Sequence, residues 1–155
     1  MDCQKLLHKL YACTEAREWI GERDLESAWN ECERADWMLW FAARVGVDRK
    51  LVVLAACDCA ETALKYVPEV EDRPRAAIEM ARAWTRGEAT IKQVRKAADA
   101  ADAAADAAAY AADAAAAAAA YAADAVRARA RRECAELVRR SIPLSVVQAA
   151  IDNNF

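Results

Sequence analysis

The strongest constraint on the fold is an eleven-residue repeat in the second half of the chain. Residues 102–112 read DAAADAAAYAA and residues 113–123 read DAAAAAAAYAA, so the two copies differ only at Asp106 and Ala117. Eleven residues make almost three whole turns of an α-helix, and equivalent positions of the two copies therefore fall on the same side. The repeat predicts a helix that carries one fixed polar stripe on a cylinder of alanine.

The stripe itself is acidic and bordered by tyrosine. At about 100° per residue, five aspartates fall within one narrow arc and two tyrosines lie beside it. As a candidate partner surface, suited to a basic protein such as a nuclease toxin, we take Asp102, Asp106, Tyr110, Asp113, Tyr121 and Asp124. A solvated helix face is the simpler interpretation, and it is favoured when the stripe is considered alone.

The rest of the composition predicts an all-α fold. Only three glycines and three prolines occur in 155 residues, and alternating β-branched runs are missing. We expect a single domain over 1–155, with a compact core of about five helices and one long alanine-rich helix over about 88–140. The low-complexity repeat region, 97–126, lies inside that helix.

The long helix is predicted because no helix breaker occurs between Gly87 and Pro143. A continuous helix of that length would reach roughly 80 Å at 1.5 Å per residue, which is more than the diameter of a globule of this size. It must therefore be kinked, or be paired with another helix. Alanine allows close approach of two helices, so we expect pairing within the chain or between subunits of a homo-oligomer.

Apolar periodicity and capping residues predict the other helices. They are a first amphipathic helix over 3–21, a short helix over 26–34, a helix over 37–45 capped by Asp36 and ended by Gly46, a helix over 49–66 capped by Asp48, a helix from Pro74 to Gly87, and a last short helix after Pro143. Residues 49–66 are apolar nearly all round, so that helix is expected to be central.

The large side chains that could form a core lie upstream of the repeat. Alanine supplies much of the 57% hydrophobic content, and it buries little area per residue. We therefore expect the core to come from the apolar run at residues 51–54 and from the tryptophans, which are Trp19, Trp29, Trp37, Trp40 and Trp84.

Charge and cysteine content limit the class of protein. The net charge of −3 gives no overall attraction to DNA or to an anionic membrane. Neither a signal peptide nor an apolar run of membrane-spanning length is seen, so we expect a cytoplasmic protein with reduced thiols. Cys57 and Cys59 would point to opposite sides of one helix, and with a single histidine in the chain no metal site and no cofactor is predicted.

Two groups of charged residues are candidate sites. Asp58 lies in the middle of the apolar helix and needs a cation, for which Arg73 and Arg75 are nearest in sequence, so we assign it to internal ion pairing. Arginines near tryptophans could also receive a planar anionic ligand. The predicted ligand-binding residues are Trp37, Trp40, Arg44, Arg73, Arg75, Arg82 and Trp84.

No set of residues predicts an enzyme. His8 lies in a short amphipathic helix, where a surface or packing role is the simpler interpretation, and the cysteines of the apolar helix resemble small core side chains. No glycine-rich phosphate loop, HExxH motif or GxSxG motif occurs. We therefore expect no catalytic residues.

Two segments carry a resemblance to a known family. They are DWMLWFAARVGVDRKLVVLAACDCAETALKYVP and EDRPRAAIEMARAWTRGEATIKQVRKAADAA. Over about residues 25–142 the chain resembles a family of small all-helical bacterial and phage immunity-like proteins, in particular its alanine-rich phage branch. The most specific features are the DRPR turn at 72–75, the pattern from Ala77 to Glu88 and the apolar helix that bears Asp58. The chain departs from the family in its nearly pure alanine middle helix.

The resemblance implies a non-enzymatic neutralising or binding protein of the immunity or phage counter-defence type. In the version that we expect, a helical homo-oligomer sequesters a partner or a small anionic, nucleotide-like signal. One alternative is an immunity protein that binds a basic toxin protein through the acidic stripe. The other is a purely structural helical assembly protein.

Overall fold

The described part of the chain contains helices and no strand, which confirms the all-α prediction. The computed structural model describes residues 2–67, 69–100 and 120–155, with backbone only at residue 66 and at 120–127. Its elements are α1 Cys3–Lys9, α2 Thr14–Ile20, α3 Leu25–Glu31, α4 Ala35–Val45, α5 Arg49–Glu61, a 3-10 turn Leu64–Tyr66, α6 Arg73–Thr85, α7 over 91–100, α8 Ala120–Ser141 and α9 Leu144–Asn154. In this part of the chain, every helix is too short or too polar to cross a lipid bilayer.

The prediction of a single first helix over 3–21 is wrong, because the chain turns sharply after α1. Tyr11 has a φ of 59°, in the left-handed region. The amide of Ala12 donates to the Leu7 carbonyl at 3.0 Å and the amide of Tyr11 donates to the His8 carbonyl at 3.1 Å. These two bonds form a Schellman motif, which ends a helix and usually places glycine where Tyr11 lies. The turn brings α2 back against α1.

Several helix ends follow the predicted capping residues. The Asp48 carboxylate accepts the amide of Lys50 at 2.7 Å at the start of α5, and Gly46 ends α4 with a φ of 94°. Pro74 lies in the first turn of α6. Asp36 is not an N-cap, since α4 begins at Ala35, one residue before it, and Asp36 therefore lies in the first turn. The helix predicted over 49–66 ends at Glu61 and continues only as the 3-10 turn.

The alanine-rich helix begins later than predicted. Residues 86–89 form a turn and a bend, and Gly87 has a φ of 80°. Thr90 then caps α7: its hydroxyl accepts the amide of Gln93 at 3.3 Å, while the Gln93 side chain accepts the amide of Thr90 at 2.8 Å. This reciprocal capping box explains the start at residue 91 rather than 88. The continuity of the helix through 101–119 lies outside the described residues.

The core lies where α4, α5 and α8 meet. One alanine from each helix, Ala42, Ala55 and Ala135, is fully buried there, so the three helix axes can approach closely. The core was predicted to come from upstream of the repeat, and this is only partly right. The largest fully buried side chains are Val45, Val138, Ile142 and Val147, three of which belong to the C-terminal part of the chain. Trp29 is also buried, while Trp19, Trp37 and Trp40 are half-buried at the edge of the core.

Candidate functional site

The predicted ligand-binding residues lie on two different helices. Trp37, Trp40 and Arg44 share α4, whereas Arg73, Arg75, Arg82 and Trp84 belong to α6. Helix α6 packs chiefly on α5, and α4 packs on α5, α8 and α9. The structure therefore divides the predicted set into an α4 group and an α6 group.

Two of the α6 arginines already have carboxylate partners. Arg73 forms a bidentate ion pair with Glu71, and this pairing lowers the pKa of Glu71 to about 2. Arg82 Nη2 donates to Asp58 at 2.9 Å and to Glu61 at 2.8 Å. Burial alone would lower the pKa of Arg82, but the charges of Glu61 and Asp58 outweigh it and raise the pKa. The positive charges of these two side chains are neutralised locally.

Asp58 is internally paired, as predicted, although its partner is a different arginine. One carboxylate oxygen accepts Arg82 Nη2 and the other accepts the Ser141 hydroxyl at 3.2 Å. The predicted partners Arg73 and Arg75 lie about two or more turns earlier on α6. The pairing connects α5, α6 and α8, and the Asp58 side chain is one-third exposed.

The cysteines of α5 face two different helices. Cys57 Sγ lies 3.9 Å from the Ile78 carbonyl on α6, and Cys59 Sγ lies 3.4 Å from the Cys134 carbonyl on α8. Burial raises the pKa of Cys57. Burial and the neighbouring Cys134 thiol raise the pKa of Cys59 to about 12. Neither thiol has the lowered pKa of a reactive nucleophile.

Iodoacetamide at about pH 8 is expected to alkylate Cys13 first and Cys59 last, because the thiolate is the reactive form and Cys59 stays protonated at that pH. Cys13 is exposed in the loop between α1 and α2. Peptide mass spectrometry at successive times gives the order. Cys13→Ser should remove the fastest phase. Rapid alkylation of Cys59 in the folded protein would contradict the buried environment described above.

The other chemical candidates are His8, the acidic side chains and the acidic stripe. His8 is exposed, and its ring accepts Arg17 Nη1 at 3.2 Å. Among the described residues no group of three or more histidine, cysteine, aspartate or glutamate side chains converges as metal ligands would. Of the acidic stripe, positions 102–113 and the side chains of Tyr121 and Asp124 lie outside the described residues.

An open groove lies between the α1–α2 loop and the start of α4. Its volume is about 400 Å³, and its walls are Tyr11, Ala12, Cys13, Ala16, Asp36, Trp37 and Trp40. The Tyr11 side chain is 87% exposed at its edge. We call this feature the groove. It contains two of the predicted ligand residues, Trp37 and Trp40, together with a tyrosine that the sequence placed inside a helix.

Arginines hold the tryptophans beside the groove in place. The Arg34 guanidinium lies 4.3 Å from the centre of the Trp37 ring and donates to Asp36 at 2.7 Å and to Glu15 at 3.3 Å. The Arg44 guanidinium lies 5.8 Å from the Trp40 ring and donates to the Leu10 carbonyl at 3.1 Å. Arg44 therefore packs against a tryptophan ring and also binds the carbonyl at the end of α1.

Aromatic rings, arginines and an exposed tyrosine are the side chains that dominate protein–protein binding energy. Sequence reasoning found Trp37, Trp40 and Arg44 but missed Tyr11 and Arg34. No residue-level signal marks Tyr11, since its exposure depends on a left-handed turn that sequence rules give to glycine or asparagine. The position of Arg34 could have been predicted, since an arginine two residues before an aspartate in the first turn of a helix can pair with it.

Comparison with known proteins gives one match. The model of the Imm-5 like putative immunity protein family matches residues 46–140, which is more than half of the chain and includes α5, α6, α7 and most of α8. No curated protein and no solved structure matches the chain significantly. The groove, formed by residues before 46, lies outside the matched segment. The chain belongs to the Imm-5 like putative immunity protein family, which indicates an immunity-type function.

Proposed function

We propose that this chain neutralises a toxin protein by binding it directly through the groove, without catalysing a reaction. The observation that carries the proposal is the conformation of Tyr11, an 87% exposed side chain on a backbone with a φ of 59°. A non-glycine residue in this region costs about 1–2 kcal/mol. Such strain is typical of functional sites, and here it holds an aromatic ring in solvent beside two tryptophans.

Family membership supports the choice of a protein as the ligand, since an immunity protein acts by neutralising a toxin. A small anionic, nucleotide-like signal is less well supported, because Arg73 and Arg82 are bound to carboxylates and lie on a different helix from the groove. The acidic stripe remains a predicted surface for a basic toxin. Assembly into a homo-oligomer through the alanine-rich helix likewise remains a prediction.

The substitution Tyr11→Gly separates binding from folding. Glycine suits the left-handed position, so the free energy of unfolding should stay the same or rise by up to about 1 kcal/mol. Binding to the toxin should weaken by about 2 kcal/mol or more, which is about 30-fold in Kd, because the variant loses the exposed aromatic ring beside the two tryptophans.

The experiment coexpresses the chain with each member of a panel of bacterial toxin genes and measures host growth. The wild type should restore growth with one of them, and the purified pair gives the Kd. Val70→Gly is the matched control, since Val70 is 95% exposed and far in sequence from the groove; it should protect as well as the wild type. A folded Tyr11→Gly variant that protects fully would refute binding through the groove.

A further inference from the structure

Two cysteine side chains meet where α5 packs on α8. Cys59 Sγ lies 3.4 Å from the Cys134 carbonyl oxygen, and Cys134 Sγ lies 3.8 Å from the Cys59 carbonyl oxygen. Each sulfur therefore lies against the main chain of the other residue. The two thiols also interact with each other, and this interaction is one cause of the raised pKa of Cys59. Two cysteines that are 75 positions apart in the sequence are thus neighbours in the fold.

Small side chains allow this close contact. Ala55, one turn before Cys59 on α5, and Ala135, next to Cys134 on α8, are both fully buried. Alanine at a helix contact lets the two helix axes approach closely. A disulfide requires such an approach, since its Cα atoms are about 4.4–6.8 Å apart. Because each thiol already reaches the main chain opposite, rotation about the two Cα–Cβ bonds can direct the sulfurs toward each other.

The other cysteine of α5 has a different environment. Cys57 is buried and faces α6, where its sulfur lies 3.9 Å from the Ile78 carbonyl oxygen. Cys59 and Cys134 are each half-buried. A small uncharged oxidant can reach a half-buried thiol, whereas a bulky reagent is hindered there. The α5–α8 pair therefore combines a facing partner with access for a small molecule.

We infer that Cys59 and Cys134 are a redox modification site, at which hydrogen peroxide forms a reversible disulfide that bonds α5 to α8. The peroxide first oxidises one thiol to a sulfenic acid and leaves as one water. The second sulfur then attacks the sulfenic sulfur, so that the S–S bond forms, the S–O bond breaks, and the hydroxyl leaves with the thiol proton as a second water. Two electrons pass in total from each dithiol pair to one peroxide. A dithiol reductant reverses the reaction by thiol–disulfide exchange.

The two thiols have different roles in this reaction. Burial and the charge of a Cys134 thiolate raise the pKa of Cys59 to about 12, so Cys59 stays protonated near neutral pH and does not attack the peroxide first. The first oxidation therefore falls on Cys134. Once Cys134 is an uncharged sulfenic acid, the charge that helps to hold the Cys59 proton is gone. Cys59 is then the thiol that completes the disulfide.

The bond should stabilise the folded protein. It joins residues 75 positions apart, and the loop that it closes contains α6, α7 and the eleven-residue repeat. A cross-link that closes a long loop restricts the unfolded chain more than the folded one. We expect the oxidised protein to unfold at a midpoint temperature about 5–15 °C above that of the reduced protein.

The test treats the reduced full-length chain with hydrogen peroxide at about pH 8. Digestion without reductant and mass spectrometry should give one linked peptide pair that joins Cys59 to Cys134, with two hydrogen atoms fewer than the separate peptides. Dithiothreitol should remove both the link and the rise in the midpoint temperature. Cys13→Ser, which removes an exposed thiol, excludes disulfides between molecules through that residue and should leave the internal link intact.

Variants on the same helix control the assignment. Cys57→Ser is the matched control and should form the link as fast as the wild type. Cys59→Ser should lose the link and the temperature shift, and dimedone should then label Cys134 as the trapped sulfenic acid; Cys59→Ala gives the same readout with a side chain that tolerates burial. In urea the unfolded wild type should lose the preference for this pair. Absence of the link in folded wild type whose Cys13 is already oxidised would overturn the inference, as would a predominant link of Cys59 to another cysteine or a link that lowers the midpoint temperature.

Discussion

Replacing Ile142 with alanine is expected to lower the free energy of unfolding by about 2–5 kcal/mol, the range found for large-to-small changes in a core. Ile142 is fully buried and follows α8 directly, at the junction with α9. It belongs to the same cluster as Val45, Val138 and Val147. Because the backbone on both sides is fixed by α8 and by Pro143, the surrounding structure has little freedom to fill the space left by the lost atoms.

Ile91→Ala is the matched control for this change. Ile91 lies in the first turn of α7 and is 48% exposed, so the same substitution should change stability by less than about 0.5 kcal/mol. Urea denaturation followed by tryptophan fluorescence measures both variants, and the slope of the unfolding free energy against urea should be unchanged. Equal losses for the two variants would show that Ile142 does not pack as described.

Much of the helical architecture follows from single residues with one strong local preference. Asp48, Gly46 and Pro74 mark helix ends through side-chain capping, a left-handed backbone and a fixed φ, and the structure places them there. The start of α7 was equally readable, since Thr90 and Gln93 have the spacing of a capping box. The break at Tyr11 was not, because a tyrosine in a glycine position goes against local preference and depends on tertiary contacts.

The candidate site depended more on packing than on pattern. Asp58 was correctly assigned to an internal ion pair. Arg73 and Arg75 were predicted as its partners because they are nearest in sequence, but the packing of α6 on α5 places Arg82 beside it. The tryptophans Trp19, Trp29, Trp37 and Trp40 are brought together by helices α2, α3 and α4, whose mutual arrangement no periodicity encodes. Composition predicted that the tryptophans supply the core. Trp29 does lie in it, whereas Trp19, Trp37 and Trp40 are half-buried at its edge.

Helix α3, which carries the buried Trp29, is held by a side chain from the opposite end of the chain, Arg139 on α8. Arg139 Nη1 donates to the main-chain carbonyls of Trp29 and Cys32, both at 2.9 Å, and Nη2 donates to Glu136 at 2.8 Å. The Trp29 carbonyl is among the last four of α3, which have no partner within the helix. A cation at this position also interacts favourably with the helix dipole. Arg139 therefore caps the helix that carries Trp29.

Arg139→Met should lower the free energy of unfolding by about 2–4 kcal/mol, because it keeps the aliphatic stem but removes two hydrogen bonds from a charged donor to carbonyls. Arg139 is 17% exposed, whereas its neighbour Arg140 is exposed, so Arg140→Met should cost less than about 0.5 kcal/mol. Arg139→Lys keeps the charge but not the forked geometry and should fall between the two. Urea denaturation ranks the three variants, and the Trp29 indole N–H signal in the NMR spectrum of the ¹⁵N-labelled chain should move in Arg139→Met but not in Arg140→Met. If Arg139→Met were as stable as Arg140→Met, the cap would contribute nothing, and α3 would have to be held by its apolar contacts alone.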